Sequence, residues 1–139
     1  MADKHNQTFF SQKVGLIVQS SSKDKLYLFF QCIKKKNDEN WEKTTLNEGK
    51  TVKISIEEII QILSVLSMKS KKWSTVHTFN NDNTIISINR DDQNGAFWIN
   101  VGDYERMLKF PQSEFLKLLL RHILQEKIEF ATSQHNAKT

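Results

Sequence analysis

The sequence predicts an α+β fold made of two ββββα repeats, in which each antiparallel, curved sheet packs against a helix. The first observation behind this prediction is a repeat without gaps at an offset of 56 residues. The aligned parts are residues 53–63 with 109–119, residues 28–32 with 84–88, and Trp41 with Phe97. The second observation is that each copy has short apolar segments and turn residues, followed by a segment of helical periodicity. A duplicated unit of this length is typical of two copies of one module sharing a core.

The first repeat is predicted to span residues 13–69, after a disordered lead-in over residues 1–12. Its strands are predicted at residues 13–20, 25–35, 41–45 and 50–54, with polar turns at 20–24 and 36–40 and a hairpin signal at 47–49. Ser55 followed by Glu58 forms a capping box, which predicts that the helix starts there. That helix is apolar around much of its circumference, so we expect it to be buried on two sides, by the other repeat or by another subunit.

The second repeat is predicted over residues 70–131, followed by a flexible tail at 132–139. Its strands are predicted at residues 73–79, 84–90, 96–101 and 104–109. The turn at residues 91–95 ends in Asn94-Gly95, a pair that tolerates positive φ at little cost. Pro111 is expected at an early helical position, where its missing N–H costs nothing. The helix is predicted to end near residue 125 or 130.

Length, charge and cysteine content limit the classes of protein to which this chain can belong. The length of 139 residues suits one domain with a hydrophobic core. Its 20 basic and 16 acidic side chains give a net charge of +4, which suits an anionic partner without requiring one. Cys32 is the single cysteine, so no intrachain disulfide can form and an intracellular, reducing compartment is favoured over secretion. No apolar stretch has the length of a membrane span.

The sequence offers no catalytic or metal-binding constellation, and we expect neither an enzyme nor a cofactor. A P-loop, a dinucleotide-binding glycine motif and a nucleophile elbow are all absent. His5 and His135 fall in the segments expected to be flexible. His77 and His122 have no cysteine partner and no carboxylate at a recognisable metal-ligand spacing.

Alternation along the strands assigns side chains to faces. Leu28, Phe30 and Cys32 share one face, which we expect to pack under a helix, and Tyr27 and Phe29 share the other. In the second repeat, the same rule leaves Asn89, Trp98 and Asn100 on the uncovered face, together with Ile85 and Ser87. Aromatic rings and amides bordered by lysines suit unpaired bases, which stack on rings while lysines neutralise phosphates.

These patterns predict a protein that binds single-stranded DNA or RNA. The candidate binding residues are Tyr27, Phe29, Lys34, Lys35, Lys36, Lys43, Trp73, Asn89, Arg90, Trp98 and Asn100. The alternative is a protein-interaction or scaffold module of the same fold, with the aromatic face buried in a dimer or against a partner. The apolar helices predict a homodimer in either case. The parity of Trp73 is ambiguous, and the run of lysines at 34–36 is also compatible with a solvated turn.

The order of elements resembles the PUR repeat and its Whirly-type relatives. The clearest stretch is residues 84–99 (TIISINRDDQNGAFWI), an apolar strand and a polar loop ending in glycine, then an aromatic-led strand. Residues 109–119 are similar to the closing strand and helix start, and the likeness covers residues 13–130. The resemblance implies single-stranded nucleic-acid binding, interlocked repeats and dimers. By position it implicates Lys34, Lys35, Asn89, Arg90 and Trp98.

Overall fold

The computed structural model describes residues 3–37 and 39–133, which form two four-stranded antiparallel sheets and two α-helices. The elements are β1 (His5–Phe10), β2 (Val14–Ser20), β3 (Tyr27–Lys34), β4 (Lys50–Ser55), α1 (Ile56–Leu66), β5 (Lys72–Phe79), β6 (Asp82–Asp91), β7 (Ala96–Val101), β8 (Tyr104–Leu108) and α2 (Gln112–Thr132). Strand order follows the chain in both sheets, β1-β2-β3-β4 and β5-β6-β7-β8. The predicted fold class, two ββββα units, is therefore confirmed.

The predicted disordered lead-in over residues 1–12 is wrong for most of its length, because β1 lies within it. β1 pairs antiparallel with β2, from His5 opposite Ser20 to Phe10 opposite Gly15. Phe9 is 2% exposed and packs in the core, and this contact holds the otherwise polar strand against the domain. The first repeat thus begins at His5 and not at residue 13. At the other end, Thr132 is still helical, and residues 134–139 of the predicted tail lie outside the described residues.

The third strand predicted at residues 41–45 is also wrong. Trp41 forms only an isolated bridge with Lys35, and Thr44–Leu46 is a short 3-10 helix. This turn is favoured locally because Asn47 takes a left-handed conformation at φ 60° and Glu48 accepts a hydrogen bond from the backbone N–H of Lys43. β3 consequently pairs directly with β4, and residues 35–49 form a long connection between them.

The single offset of 56 residues describes only the last part of each repeat. It superimposes β4 and α1 on β8 and α2, but it places β3 on β6, whereas the third strand of the second sheet is β7. The reason is the unequal connection before the last strand. Gly102 and Asp103 alone join β7 to β8, whereas residues 35–49 join β3 to β4. The alignment of residues 28–32 with 84–88 therefore matches two strands at different positions in their sheets.

Each helix packs on the sheet of the other repeat. α1 contacts β5 and β6, and the imidazole of His77 on β5 lies 2.6 Å from the Glu58 carboxylate of α1. α2 lies against β1, where the rings of Phe9 and Phe115 meet edge to face at 5.5 Å. One continuous hydrophobic cluster joins buried residues of both sheets and both helices. The two repeats are therefore interlocked in one domain.

The helix starts follow the sequence. The capping box is present: the Glu58 N–H donates to Ser55 Oγ at 3.2 Å, and the Ser55 N–H donates to Glu58 Oε1 at 2.9 Å. Pro111 stands at the N-cap of α2 and offers no side-chain hydrogen bond there. α2 ends at Thr132, slightly beyond the predicted end.

Two buried cations fix the ends of the interlocked elements. The Arg106 guanidinium on β8 donates to the carbonyls of Phe9 at 3.0 Å and of Phe10 at 2.7 Å, which ties the second sheet to β1. The Lys127 ammonium on α2 donates to the carbonyls of Ser22 at 2.7 Å and Lys25 at 2.5 Å in the β2–β3 turn. Burial lowers the pKa of both groups. Backbone carbonyls thus replace the water that these charges lose on folding.

Candidate functional site

Each sheet has one side covered by the helices and one side left open. We call these open sides the first and second open faces. By strand register, the first open face includes Tyr27, Phe29, Gln31, Thr51 and Lys53. The second open face includes Lys72, Ser87, Asn89, Trp98 and Asn100. The predicted division of faces is confirmed, since Leu28, Phe30, Cys32, Ile86, Ile88, Phe97 and Ile99 are all buried on the other side.

An aromatic pair dominates the first open face. The rings of Tyr27 and Phe29 meet edge to face at 5.4 Å and are both partly exposed. The Lys53 ammonium on β4 lies 4.3 Å from the centroid of the Tyr27 ring, in cation–π geometry. Among the described strand residues of this face there is no aspartate or glutamate. The surface therefore offers flat rings beside positive charge.

The second open face is richer in amides. Trp98 on β7 is partly exposed and stands between Asn89 on β6 and Met107 on β8. The Asn100 amide donates to Ser87 Oγ at 3.1 Å, while its Oδ1 is buried and has no hydrogen-bond partner within the described chain. A buried acceptor without a partner is uncommon in folded proteins. Because this oxygen is buried, the partly exposed amide of Asn89 is the group of the face that is open to a ligand.

Two open grooves extend these faces. One, about 540 Å³, lies along β5 and β6 and is lined by Lys71, Lys72, Ser74, Ser87 and Asn89 among others. The other, about 700 Å³, lies between the edge strands β4 and β5; we call it the junction groove. Phe29, Lys50 and Lys53 line one side of the junction groove, and Val76 and Phe79 line the other. The junction groove therefore connects the aromatic pair of the first open face to the second sheet.

The structure brings together only part of the predicted set. Tyr27 and Phe29 lie on the first open face, with Lys35 exposed at its margin. Asn89, Trp98 and Asn100 lie together on the second open face. The remaining candidates, Lys34, Lys36, Lys43, Trp73 and Arg90, lie elsewhere.

Lys34 follows Cys32 on the helix side of β3. Its ammonium lies 4.6 Å from the centroid of the Tyr104 ring. Glu42 holds this arrangement, because its carboxylate accepts hydrogen bonds from the Lys34 N–H and from the Tyr104 hydroxyl, both at 2.8 Å. Burial, reinforced by this carboxylate, raises the pKa of Tyr104 to about 12. Lys34 is thus part of an internal cluster and not of the open face.

By register, the side chains of Trp73 and Arg90 also belong to the helix side, although both residues line the groove along β5 and β6. Trp73 stands opposite the buried Ile88 and packs against the core, which resolves its ambiguous parity in favour of the helix side. Arg90 stands opposite the buried Phe97, and its guanidinium Nε donates to Asp92 at 2.6 Å. This hydrogen bond lowers the pKa of the Asp92 carboxyl.

Lys36 and Lys43 lie in the long connection between β3 and β4. The Lys36 ammonium pairs with Glu48 at 2.6 Å, and this hydrogen bond lowers the pKa of the Glu48 carboxyl. The same carboxylate accepts from the Lys43 backbone N–H. The charge of Lys36 is thus partly compensated within the connection.

Sequence reasoning missed several residues of the two faces. Lys53 and Lys72 are placed by strand register next to Phe29 and Asn89, respectively. On β4, Val52 and Ile54 are buried and the residues between them alternate outward, so strand parity alone would have placed Lys53 on the open face. Lys72 precedes the strand predicted at residues 73–79, and only the pairing of β5 with β6 reveals its position.

A histidine cluster contradicts the expectation that no histidine has a suitable carboxylate. His5 Nε2 lies 2.8 Å from Glu126 Oε1, and His122 Nε2 lies 3.4 Å from Glu126 Oε2. His122 and Glu126 are one helical turn apart on α2, and β1 supplies His5. The sequence did not predict this cluster, because His5 lies in residues 1–12, which were expected to be disordered.

Comparison with solved structures identifies the same fold in proteins of very different sequence. The structure of the plant transcriptional regulator PBF-2 matches with a TM-score of 0.66 at 12% identity, over 97% of this chain and 96% of that chain. A guide-RNA-binding protein complex bound to a gRNA matches with a TM-score of 0.68 at 12% identity, over 94% and 95%. MRP1/MRP2 of Trypanosoma brucei matches with a TM-score of 0.58 at 13% identity, over 96% and 88%.

No family model matches the chain, and no curated protein matches it significantly. At these identities the structural matches establish the fold alone. Within the described residues, neither helix is long and apolar enough to cross a membrane.

Proposed function

We propose that this protein binds single-stranded DNA or RNA on its two open faces. The observation that carries the proposal is the pair of uncovered sheet surfaces on which Tyr27, Phe29 and Trp98 are partly exposed beside lysines and amides. The fold is shared with a protein complex whose structure contains a bound gRNA, which supports a nucleic-acid partner. The proposal assigns binding and no catalysis.

Each group has a distinct role in this proposal. Base stacking on an aromatic ring contributes about 1–3 kcal/mol per base and tolerates any sequence. Lys53 and Lys72 neutralise phosphates, which makes affinity depend on salt. The partly exposed amide of Asn89 pairs with the polar edge of a base. A strand that follows the junction groove would reach the ring of Phe29 and the lysines of β4, Lys50 and Lys53.

The first prediction concerns Trp98. Trp98→Ala should weaken binding of a fluorescent single-stranded oligonucleotide by about 5- to 150-fold, because one stacking contact is lost. Fluorescence anisotropy with DNA and RNA homopolymers measures the dissociation constants, with a duplex of the same length expected to bind more weakly. Phe110→Ala is the matched control, since Phe110 is 76% exposed but lies between β8 and α2, away from both faces. Equal losses in the two variants, or none in Trp98→Ala, would contradict the stacking mechanism.

A groove between the two helices supports the alternative function as a scaffold, in which copies of the chain associate. An open groove of about 450 Å³ runs between α1 and α2 and is lined by Ile60, Leu63, Leu124 and Ile128 among others. Ile60 is 48% exposed and Ile128 is 43% exposed, although both lie on apolar stretches of their helices. We infer a homodimer that buries this groove, and light scattering after gel filtration measures its mass. If no oligonucleotide binds at low salt while the dimer forms, the scaffold function replaces the binding function.

The environment we propose for this function is intracellular. Cys32, the single cysteine, is buried, and burial raises its pKa to about 12, so it is a core residue and not a reactive thiol. A chain with one cysteine gains nothing from an oxidising compartment.

A further inference from the structure

We propose that His5, His122 and Glu126 form a binding site for a transition-metal dication of the Zn²⁺ class. The three side chains offer ligand atoms that all lie within 4.8 Å of one another. Around a tetrahedral zinc ion with bonds of about 2.0–2.1 Å, neighbouring ligand atoms lie roughly 3.3 Å apart. His122 Nε2 lies 3.4 Å from Glu126 Oε2, close to that value, and His5 Nε2 lies 2.8 Å from the other oxygen, Oε1, at hydrogen-bond distance. Small side-chain adjustments would bring all three onto one ion.

The ligand set selects the class of metal. Two imidazole nitrogens with one carboxylate suit Zn²⁺, Co²⁺, Ni²⁺ or Cu²⁺, whereas Mg²⁺ and Ca²⁺ prefer oxygen ligands. Binding replaces the contact between His5 Nε2 and Glu126 Oε1 with two bonds to the metal, and any proton shared between them is released. Three protein ligands leave a fourth position for water.

A second feature beside the cluster supports a site for a bound group. Ser20 stands opposite His5 in the β1–β2 ladder, and both line an open depression of about 260 Å³. Ser20 is 2% exposed, yet its hydroxyl has no hydrogen-bond partner within the described chain. A water bound to the metal would give this hydroxyl a partner, in the way that outer groups orient metal ligands in other proteins.

The location gives the metal a structural consequence. β1 is an edge strand, and α2 belongs to the other repeat. A metal held by His5 on β1 and by His122 and Glu126 on α2 would clamp the two repeats together. Because the ligands lie on the helix side of the first sheet, the site is separate from both open faces. Its occupancy should therefore slow hydrogen exchange of the β1 amides without requiring nucleic acid.

The test is a titration of the untagged full-length protein with Zn²⁺ and, as a comparison, with Mg²⁺. We expect one Zn²⁺ per chain, no detectable Mg²⁺ binding at the same concentrations, and a rise in Tm with Zn²⁺. His122→Ala and Glu126→Gln should each weaken Zn²⁺ binding at least about tenfold. His122 has a side chain that is 59% exposed, so its removal leaves the fold intact, which circular dichroism of the metal-free protein verifies.

Two control variants make the result specific. His77→Ala removes a histidine that also pairs with a carboxylate, Glu58, but has no third ligand among residues 3–37 and 39–133, and it should retain full Zn²⁺ affinity. His135→Gln tests the histidine beyond the described residues and should also retain it. The proposal is overturned if the unaltered protein binds no Zn²⁺, if His122→Ala binds it as tightly, or if His135→Gln alone abolishes binding.

Discussion

Neighbouring lysines in this chain have different environments, and those environments decide which of them are free to bind phosphate. Lys72 is exposed on the second open face and forms no ion pair within the described residues. Lys34 lies on the Tyr104 ring, and Lys36 pairs with Glu48. An ammonium that already has an anionic partner must lose it before it contacts a phosphate. We therefore expect Lys53, Lys72 and the exposed Lys35 to carry the salt dependence of binding, rather than Lys36 or Lys34, which lies on the helix side.

That expectation gives a prediction at the residue scale. Lys72→Ala should reduce the magnitude of the slope of log K against log salt by about 0.7, the value for one phosphate contact to a single strand. Lys36→Ala should leave the slope unchanged, because its partner Glu48 already occupies the ammonium. Anisotropy titrations at four salt concentrations measure both slopes. A larger change for Lys36→Ala than for Lys72→Ala would show that the long connection, and not the second open face, contacts the phosphates.

Strand parity made part of this site predictable from sequence. The alternation in residues 27–33 and 96–101 is strong enough to separate Tyr27, Phe29 and Trp98 from their buried neighbours. The contacts of Lys34 could not be predicted in the same way. Its parity pointed to the helix side, but its partner Tyr104 is distant in sequence, and only the packing of β8 near β3 brings them together.

At the scale of elements, the two errors in strand assignment have one origin. β1 is polar at His5, Asn6, Gln7 and Thr8, and its strand conformation depends on pairing with β2 and on burial of Phe9. Residues 41–45 have high β propensity, but the capping contacts of Glu48 and the tilted stack of Trp41 on Phe10, at 5.0 Å, hold them outside the sheet. Tertiary contacts outweigh local propensity in β1, whereas local capping contacts together with the Phe10–Trp41 contact do so in residues 41–45. The repeat pattern then concealed the errors, since four strands were expected and four were found.

The groove between the helices gives the prediction at the element scale. Ile60→Glu should convert the proposed dimer to a monomer, because it places a charge in the apolar interface without touching the core. Leu26→Glu is the matched control, since Leu26 is similarly exposed at 49% but lies in the β2–β3 turn. Light scattering after gel filtration should report half the mass for the first variant only. A dimer that survives Ile60→Glu would place the interface elsewhere, with the exposed apolar residues of the open faces as the next candidates.

At the scale of the whole molecule, neither repeat is complete by itself, because each helix packs on the sheet of the other repeat. The buried residues of α1, Ile59, Ile62, Val65 and Leu66, belong to the same cluster as Ile86 and Ile88 of the second sheet. α2 in turn reaches β1 through Phe115 and the β2–β3 turn through Lys127. The pattern of apolar residues predicted that α1 would be buried on two sides. It left open whether the second side was the other repeat or another subunit, because amphipathicity carries no information about which sheet a helix covers.

The interlocking predicts that the halves fold only together. Chains of residues 1–69 and 70–139, produced separately, should each lack cooperative thermal unfolding, because each helix would have lost the sheet it covers. Mixing them should restore a cooperative transition and the near-ultraviolet circular dichroism of the intact protein, since the cut at the linker before β5 removes no core contact. A fragment that unfolds cooperatively on its own would mean that its helix can fold back onto its own sheet. In that case the crossed packing would be one of two arrangements open to the chain, and domain exchange between copies would become the expected route to the dimer.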